Sequence, residues 1–401
     1  MMRPARRSVQ ADCQRPQRQP SLNPEAIRAE TAPMMRIVLV ALLLSIGGCG
    51  SKRAAGPWET IELGTDASFE DVCFADTLNG WIVGGSIHAQ GGIVGRTRDG
   101  GRTWAFTSGI ASEGPGTVAY TLNAVYFADT LNGLVAGEGG RIFKSEDGGR
   151  NWRLVEYGRG GASHFFDLEM RDPWNGWAIG LMGVMKTTDG GETWVPLTRP
   201  GGEDEPTWGH AAAFVDEVHG FKVGQYGVLE FTTNGGRRWY DHVLTFASNP
   251  KPYLFNVHFA DPQHGWVVGE DGTVFRTVNG GASWEHLDTG LSDAKERPRP
   301  PGSVPGPPGI EEIEGPLAGL FLTRVFFIDE RRGWAVGFWS DQGRSVVLGT
   351  TDGGDSWKIE AEAHGEELRA FTAMKDGRAW ALGDRSREGA QTLLLRSAVL
   401  P

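Results

Sequence analysis

Six copies of one eight-residue turn govern what this chain can become. Thr-x-Asp-Gly-Gly-x-Thr-Trp stands at residues 97–104 and again at 187–194. Variants of it end at Trp152, Trp239, Trp284 and Trp357. Successive tryptophans are 48, 42, 45, 45 and 73 residues apart. A period of this length builds a chain from like supersecondary units, each of which buries its apolar face against the next.

The residue types explain the turn. Asp or Asn before Gly-Gly is a tight-turn signal, because glycine takes positive φ and the Asx oxygen accepts from nearby backbone N–H groups. The Thr or Ser two residues earlier ends a strand and can brace the same turn, and the Trp is read as opening the next strand. The Asx positions are Asp99, Asp147, Asp189, Asn234, Asn279 and Asp352. Asn keeps the acceptor oxygen and loses the charge. That exchange favours a structural turn over catalysis or metal binding.

Each turn closes a larger unit. An apolar strand ends in Phe-x-Asp, with its Phe at 74, 127, 214, 259 and 327. A short turn leads to Gly-Trp-x-Val-Gly, at Gly80-Trp81, Gly176-Trp177, Gly265-Trp266 and Gly333-Trp334, with Gly133-Leu134 and Gly220-Phe221 as variants. A third strand runs into the Asx-Gly-Gly turn and a fourth follows. Four short strands with turn signals between them make one antiparallel sheet, and radial repetition of such sheets makes a β-propeller.

The N-terminus is of another kind. Residues 1–33 are Arg-, Gln- and Pro-rich and carry no pattern; Met34 or Met35 is the expected start, leaving 1–33 as a non-native or disordered extension. Residues 34–48 read as a signal peptide: an Arg, a ten-residue apolar run from Ile37 to Ile46, then Gly47-Gly48-Cys49. The run is too short to span a bilayer. Ile-Gly-Gly-Cys resembles a bacterial lipobox, with Cys49 as the lipidated first residue and 49–56 as a tether. An ordinary cleaved signal peptide is the alternative. The absence of Asp after Cys49 favours the outer membrane if the envelope is Gram-negative.

Composition narrows the function. Residues 1–49 hold seven Arg and three acidic residues. The remainder carries 32 basic against 47 acidic residues, a net charge of −15, which argues against general nucleic-acid binding. Of three cysteines, Cys13 precedes the expected start and Cys49 would carry lipid, so Cys73 is left as a core residue with no disulfide framework.

Counting units gives blades at about 67–110, 118–158, 162–199, 208–247, 252–290 and 320–362. Residues 291–319 are a Pro-rich loop insertion that accounts for the long last gap. Residues 368–374, 379–383 and 392–397 repeat three strands of a seventh blade, and the strand it lacks is supplied by 58–63. The expectation is an all-β, seven-bladed β-propeller over 57–401, built of four-stranded antiparallel blades and closed by the N-terminal strand.

This combination of motifs resembles the Asp-box (bacterial neuraminidase repeat) group, and within it the photosystem II stability and assembly factor family. The resemblance covers about 58–401. It implies a seven-bladed propeller that chaperones a membrane-protein subunit, with no cofactor and no catalysis. The rival class is a cell-surface carbohydrate-binding or sialidase-like propeller. A sialidase needs a Phe/Tyr-Arg-Ile-Pro arginine and a Tyr–Glu nucleophile pair, and neither motif is present. The nine histidines show no metal-ligand spacing. The expected partner is therefore a membrane or envelope protein, met by a monomer without nucleic acid.

Two groups of residues are candidates for that contact. Loops from fourth to first strands and from second to third strands share one face, and they vary in length and chemistry, as binding loops on a rigid scaffold do. Trp208, Tyr253, Phe338 and Trp339 are the aromatic anchors expected there. The second group is a basic row immediately before the turn: Arg96, Lys144, Lys186, Arg276 and Arg396. It reads either as stems laid along a neighbouring Trp or as a ring for an acidic partner.

Overall fold

The structure is a computed structural model. It describes residues 58–65, 67–85, 91–110, 121–157, 164–180, 183–197, 209–246, 251–289, 319–339, 342–364, 367–384 and 393–397. The segment expected to be a signal peptide, the expected tether with Cys49, Trp208 and residues 290–318 lie outside these.

The chain is an all-β propeller of four-stranded antiparallel blades. The described strands pair as seven four-stranded sheets. Six of them are consecutive meanders, of which the first is Ser68–Phe74, Gly80–Gly85, Gly92–Thr97 and Ala105–Ile110. The remaining sheet takes Glu367–Ala373, Ala379–Asp384 and Leu393–Ser397 from the C-terminal end, and Trp58–Glu62 as its outermost strand. Trp58 pairs with Ser397 and Glu62 with Leu393.

Burial follows position in the blade. The second strand, GWIVGG in the first blade, is buried along its whole length. Neighbouring blades cover both of its faces, so it reads as a continuous apolar run rather than an alternation. The fourth strand is the rim and is mostly exposed. The turn tryptophans do not open that strand as expected. Strand pairing begins one residue later, at Ala105, Arg153, Val195, Tyr240, Glu285 and Lys358. In the first copy the cause is visible: Trp104 donates its indole N–H to the Gly101 carbonyl at 3.0 Å and stays part of the turn.

Blades are joined by one repeated contact. At four seams a second-strand Trp stacks face to face on the Phe of the next blade's Phe-x-Asp. Ring centroids lie 3.5 Å apart for Trp81–Phe127, 3.7 Å for Trp177–Phe214 and 3.5 Å for Trp266–Phe327. Trp380 makes the same stack on Phe74, at 3.7 Å, and so joins the C-terminal blade to the first. The indole N–H then donates to the carbonyl of the first turn glycine in that next blade. These bonds are Trp81 to Gly148 at 3.1 Å, Trp177 to Gly235 at 3.1 Å, Trp266 to Gly353 at 2.9 Å and Trp380 to Gly100 at 3.1 Å. The preceding glycine has its own reason. A Cβ on Gly80 would stand 2.5 Å from the Phe74 ring that lies over it.

Two outcomes test this packing. Replacing Trp380 with Phe keeps an aromatic ring but leaves the Gly100 carbonyl without its donor. It should destabilise the protein by about 1–3 kcal/mol in denaturant titrations. A chain beginning at Phe69 lacks the outermost strand of the C-terminal blade and should melt well below the mature protein. Equal melting temperatures would show that Trp58–Glu62 contributes nothing to closure.

Candidate functional site

The Asx turns occupy one face. Thr97 donates its hydroxyl to Asp99 Oδ1 at 2.8 Å and accepts from the Gly101 N–H at 3.0 Å. The other end of the turn is tied by the Thr103 N–H to Oδ1 at 2.9 Å and the Thr103 hydroxyl to Oδ2 at 2.6 Å. Asp147, Asp189 and Asp352 repeat this pattern with Asn151, Thr193 and Ser356. Asn234 accepts from Arg238 N–H at 2.9 Å and Asn279 from Ser283 N–H at 3.0 Å. Bonds led by the Asn151 N–H hold the Asp147 carboxyl down at about 2. Each of these bonds lies within its own turn.

The basic row lies near the same face and works between blades. Arg96 donates to the Gly148 carbonyl at 3.3 Å and Arg276 to the Gly353 carbonyl at 3.2 Å, each beside the indole bond already described. Arg276 also pairs with Asp355 at 2.8 Å. Lys144 meets Glu192 of the third blade at 2.6 Å. Lys186 donates to the Glu217 carbonyl of the fourth blade at 3.3 Å, with its ammonium 4.8 Å from the centre of the Trp177 ring in its own blade. Arg396 pairs with Trp380 in the strand register.

The innermost strands carry groups that the sequence did not single out. A bulge after Phe69, and at the matching place in the other blades, turns side chains of this strand toward the next blade. There they accept from N–H groups on the neighbouring inner edge. Asp71 accepts from Val125 at 2.8 Å, and Asn256 from Val325 at 3.1 Å. Asp167 accepts from Ala212 and Glu169 from Phe214. Burial raises the Asp71 carboxyl to about 7 against the pull of the Arg324 guanidinium. Burial, then the nearby Asp167, raises Glu169 to about 8. Cys73 is half-buried beside them, and burial pushes its thiol up to about 12. Among the described residues no three His, Cys, Asp or Glu side chains are grouped to hold a metal.

The opposite face carries an aromatic band over the fourth to sixth blades. Tyr253 meets Tyr226 edge-on at 5.2 Å. Phe255, Phe321 and Phe338 follow, with centroids 6.1 Å and 5.3 Å apart, and His210 lies 5.6 Å from Phe255. Two of these, Tyr253 and Phe338, are expected anchors. Trp339 is not available as one. It is 3% exposed, packed in the core between the fifth and sixth blades, with the Arg344 guanidinium 4.9 Å from its ring. Its strand, Gly333–Trp339, runs two residues longer than its counterparts in the third to fifth blades, which draws Trp339 into the sheet. Tyr226 was not foreseen. It is 64% exposed and holds φ at 57°, a left-handed conformation that a non-glycine residue adopts at a cost. The Gln-Tyr-Gly sequence gives no sign of it beyond the following glycine.

Comparison with known proteins adds a second line. The model of the photosynthesis system II assembly factor Ycf48 family matches residues 51–159, a stretch that takes in the N-terminal strand and the first two blades. Solved structures of a Ycf48 bound to a D1 peptide and of the Ycf48 from Cyanidioschyzon merolae each superpose with a TM-score of 0.61. The superpositions cover 86% of this chain and 97% and 99% of theirs, at 19% and 18% identity. The chain is similar to the Ycf48 propellers. Two proteins named photosystem II assembly lipoprotein Ycf48 match it in sequence, from Picosynechococcus sp. and Parasynechococcus marenigrum, at 36% and 32% identity over 72 residues. Those matches span 17% of this chain and 20% of each Ycf48. The structural likeness extends to the fold alone, since the propeller domain of Doa1 also superposes, at 12% identity and a TM-score of 0.54.

The inner carboxyls give a test with a defined sign. Asp71 and Glu169 have folded-state values above their unfolded ones. Their contribution is complete below about pH 4 and is lost as pH rises through about 7–8. The turn carboxyls Asp99, Asp147 and Asp352 are held at about 2, so theirs is present above about pH 4 and lost below it. The melting temperature should therefore fall between about pH 5 and pH 9, and Asp71→Asn with Glu169→Gln should flatten that limb. An unchanged slope in the double variant would assign the pH dependence to other groups.

Proposed function

We propose that this chain is a non-enzymatic, membrane-tethered assembly factor that holds a segment of a membrane-protein partner against its variable-loop face. The observation that carries this is the aromatic band of Tyr226, Tyr253, Phe255, Phe321 and Phe338, in which the exposed Tyr226 is itself held in a left-handed conformation. Large, stiff aromatic groups of this kind anchor protein interfaces at low entropic cost. The Ycf48 likeness supports the same class of work. One of the similar Ycf48 structures is bound to a D1 peptide, and a photosystem II role is the version of the proposal that this suggests.

The carboxylates favour a binder over an enzyme. Asp71, Asp167 and Glu169 each accept a backbone N–H, and the turn Asx residues are bonded within their turns. A glycosidase needs a carboxyl pair facing open solvent across a substrate, and these groups are committed to the scaffold.

The platform we infer is a monomeric seven-bladed ring closed by the N-terminal strand. Its support is the set of seven four-stranded sheets and the Trp380 bond to Gly100. The tether we infer is a lipid on Cys49, supported by the lipobox-like Ile-Gly-Gly-Cys and by the lipoprotein names of the two Ycf48 relatives.

Crosslinking and pull-down from the native membranes tests the partner. Tyr253→Ala with Phe338→Ala should lose a membrane-protein partner that the unaltered protein retains. Retention by the double variant would remove the aromatic face from the proposal. Cys49→Ser should move the protein to the soluble fraction, and unchanged detergent partitioning would refute the lipid anchor. Separation of inner from outer membranes would read which of them holds it.

A further inference from the structure

The face that carries the Asx turns is not uniform. The third residue of the turn between first and second strands is Leu78, Leu131, Trp174 and Val218 in the first four blades. They are 51%, 50%, 65% and 42% exposed. The same position holds Gln263 and Arg331 in the next two. Single exposed apolar residues are ordinary on a protein surface. Four at one structural position in four consecutive blades form a crescent on one side of the disc.

The crescent is rigid. Each tip donates its backbone N–H to the turn Asp: Leu78 to Asp76 at 2.8 Å, Leu131 to Asp129 at 2.7 Å, Trp174 to Asp172 at 2.9 Å and Val218 to Asp216 at 2.8 Å. Each tip carbonyl accepts from a glycine of its own blade's Asx turn, at 2.8–2.9 Å. The backbone cannot draw the side chains inward, so the fold leaves their apolar surface for something outside it.

A cationic cleft lies between the first two tips. Arg96, Arg98 and Arg150 line it with Leu131, against the single carboxylate of Asp147, which is bonded within its own turn. The Arg96 Nε–H is buried without a hydrogen-bond partner. Burial, then the charges of Arg150 and Arg98, makes the Arg96 cation harder to keep, which marks a place that an anion would relieve. Several carboxylates near the crescent are engaged: Asp76 with Asn79, Asp129 with Asn132, Glu192 with Lys144 and Arg153, Glu217 with Arg171.

We propose that the Asx-turn face of the first four blades docks on an anionic phospholipid bilayer, with Leu78, Leu131 and Trp174 entering the headgroup region and the Arg96–Arg98–Arg150 cleft taking a lipid phosphate. Protruding tips rather than a groove favour a bilayer over a peptide. An exposed Trp suits the membrane interface, and arginines between apolar tips suit an anionic one. The chain itself reaches the propeller at this face. Trp58 pairs with Ser397, which stands where Ser145 and Thr97 stand at the strand end leading into the Asx turn. Only eight residues lie between Cys49 and Trp58, at most about 30 Å of extended chain. That last argument rests on the lipid-anchor reading; the crescent and the cleft do not.

Vesicle flotation of the full chain carrying Cys49→Ser separates the two, because no acyl chain is then present. The protein should float with vesicles rich in phosphatidylglycerol and not with pure phosphatidylcholine. Leu78→Ser, Leu131→Ser and Trp174→Ser together should lower flotation about tenfold, as loss of the apolar contacts requires. Arg98→Gln with Arg150→Gln should weaken it in a salt-dependent way. Val243→Ser, at an exposed apolar residue outside the crescent, should leave it unchanged. Circular dichroism and melting of each variant confirm that the fold is intact. Equal flotation of the triple variant, no flotation of the parent with anionic vesicles, or capture of a soluble protein by the crescent in place of vesicles would overturn the proposal.

Discussion

The ring depends on a tryptophan reaching across a seam. An indole has a broad apolar face and one donor at its edge. Here the face lies on the next blade's phenylalanine and the edge finds the next blade's turn carbonyl. Stacking alone would let the blades slide, and a hydrogen bond alone would not exclude water. Together they fix distance and register through a single residue at each of four seams. The motif follows from this contact. The Phe needs a glycine beneath its ring, and the indole needs a carbonyl presented by a turn that only Asx-Gly-Gly makes so tightly.

The inner edge poses the opposite problem. Each blade's first strand has one side paired and one side facing the axis. Its N–H groups there would be orphaned, and buried donors without partners are costly. Asp71, Asp167, Glu169 and Asn256 supply acceptors from the blade before. Burial there raises all three carboxyls toward neutrality, while the N–H bonds they accept pull the other way. The scaffold thus accepts strained ionisation to satisfy backbone, and its stability is tied to pH for a structural reason.

What was legible in the sequence is what repeats. Asp99 and its five counterparts, Phe74 and Gly80, announced four-stranded blades, because each acts within about twenty residues of itself. The residue that joins one blade to another was visible as a motif, but its partner was not, since Trp81 and Gly148 are 67 positions apart. Trp339 misled because an aromatic residue near a loop looks the same whether its strand stops before it or runs through it. Tyr226 was missed because its conformation is imposed by the hairpin, and the tips Leu78 and Trp174 because a turn residue's exposure depends on what lies beyond the blade. The basic row was read with two meanings, and the side chains that can be followed, Arg96, Lys144, Lys186 and Arg276, are all used across seams.

Those seams are not equal. Leu134 and Phe221 stand where other blades have the indole, so the second blade meets the third, and the fourth meets the fifth, with no such N–H to give. Leu134 packs in the cluster with Met170, while Phe221 stacks on Phe259 at 5.2 Å. At the sixth blade the Trp334 donor turns back to Glu360 of its own sheet. The ring is therefore a chain of bolted couples, first with second, third with fourth, fifth with sixth, and the last blade bolted to the first. Local opening follows the weakest contacts in a structure. A disc jointed this way has creases at known places, and the joint between the fourth and fifth blades lies beneath Tyr226 and Tyr253, where the surface could flex to admit a guest without breaking the circle.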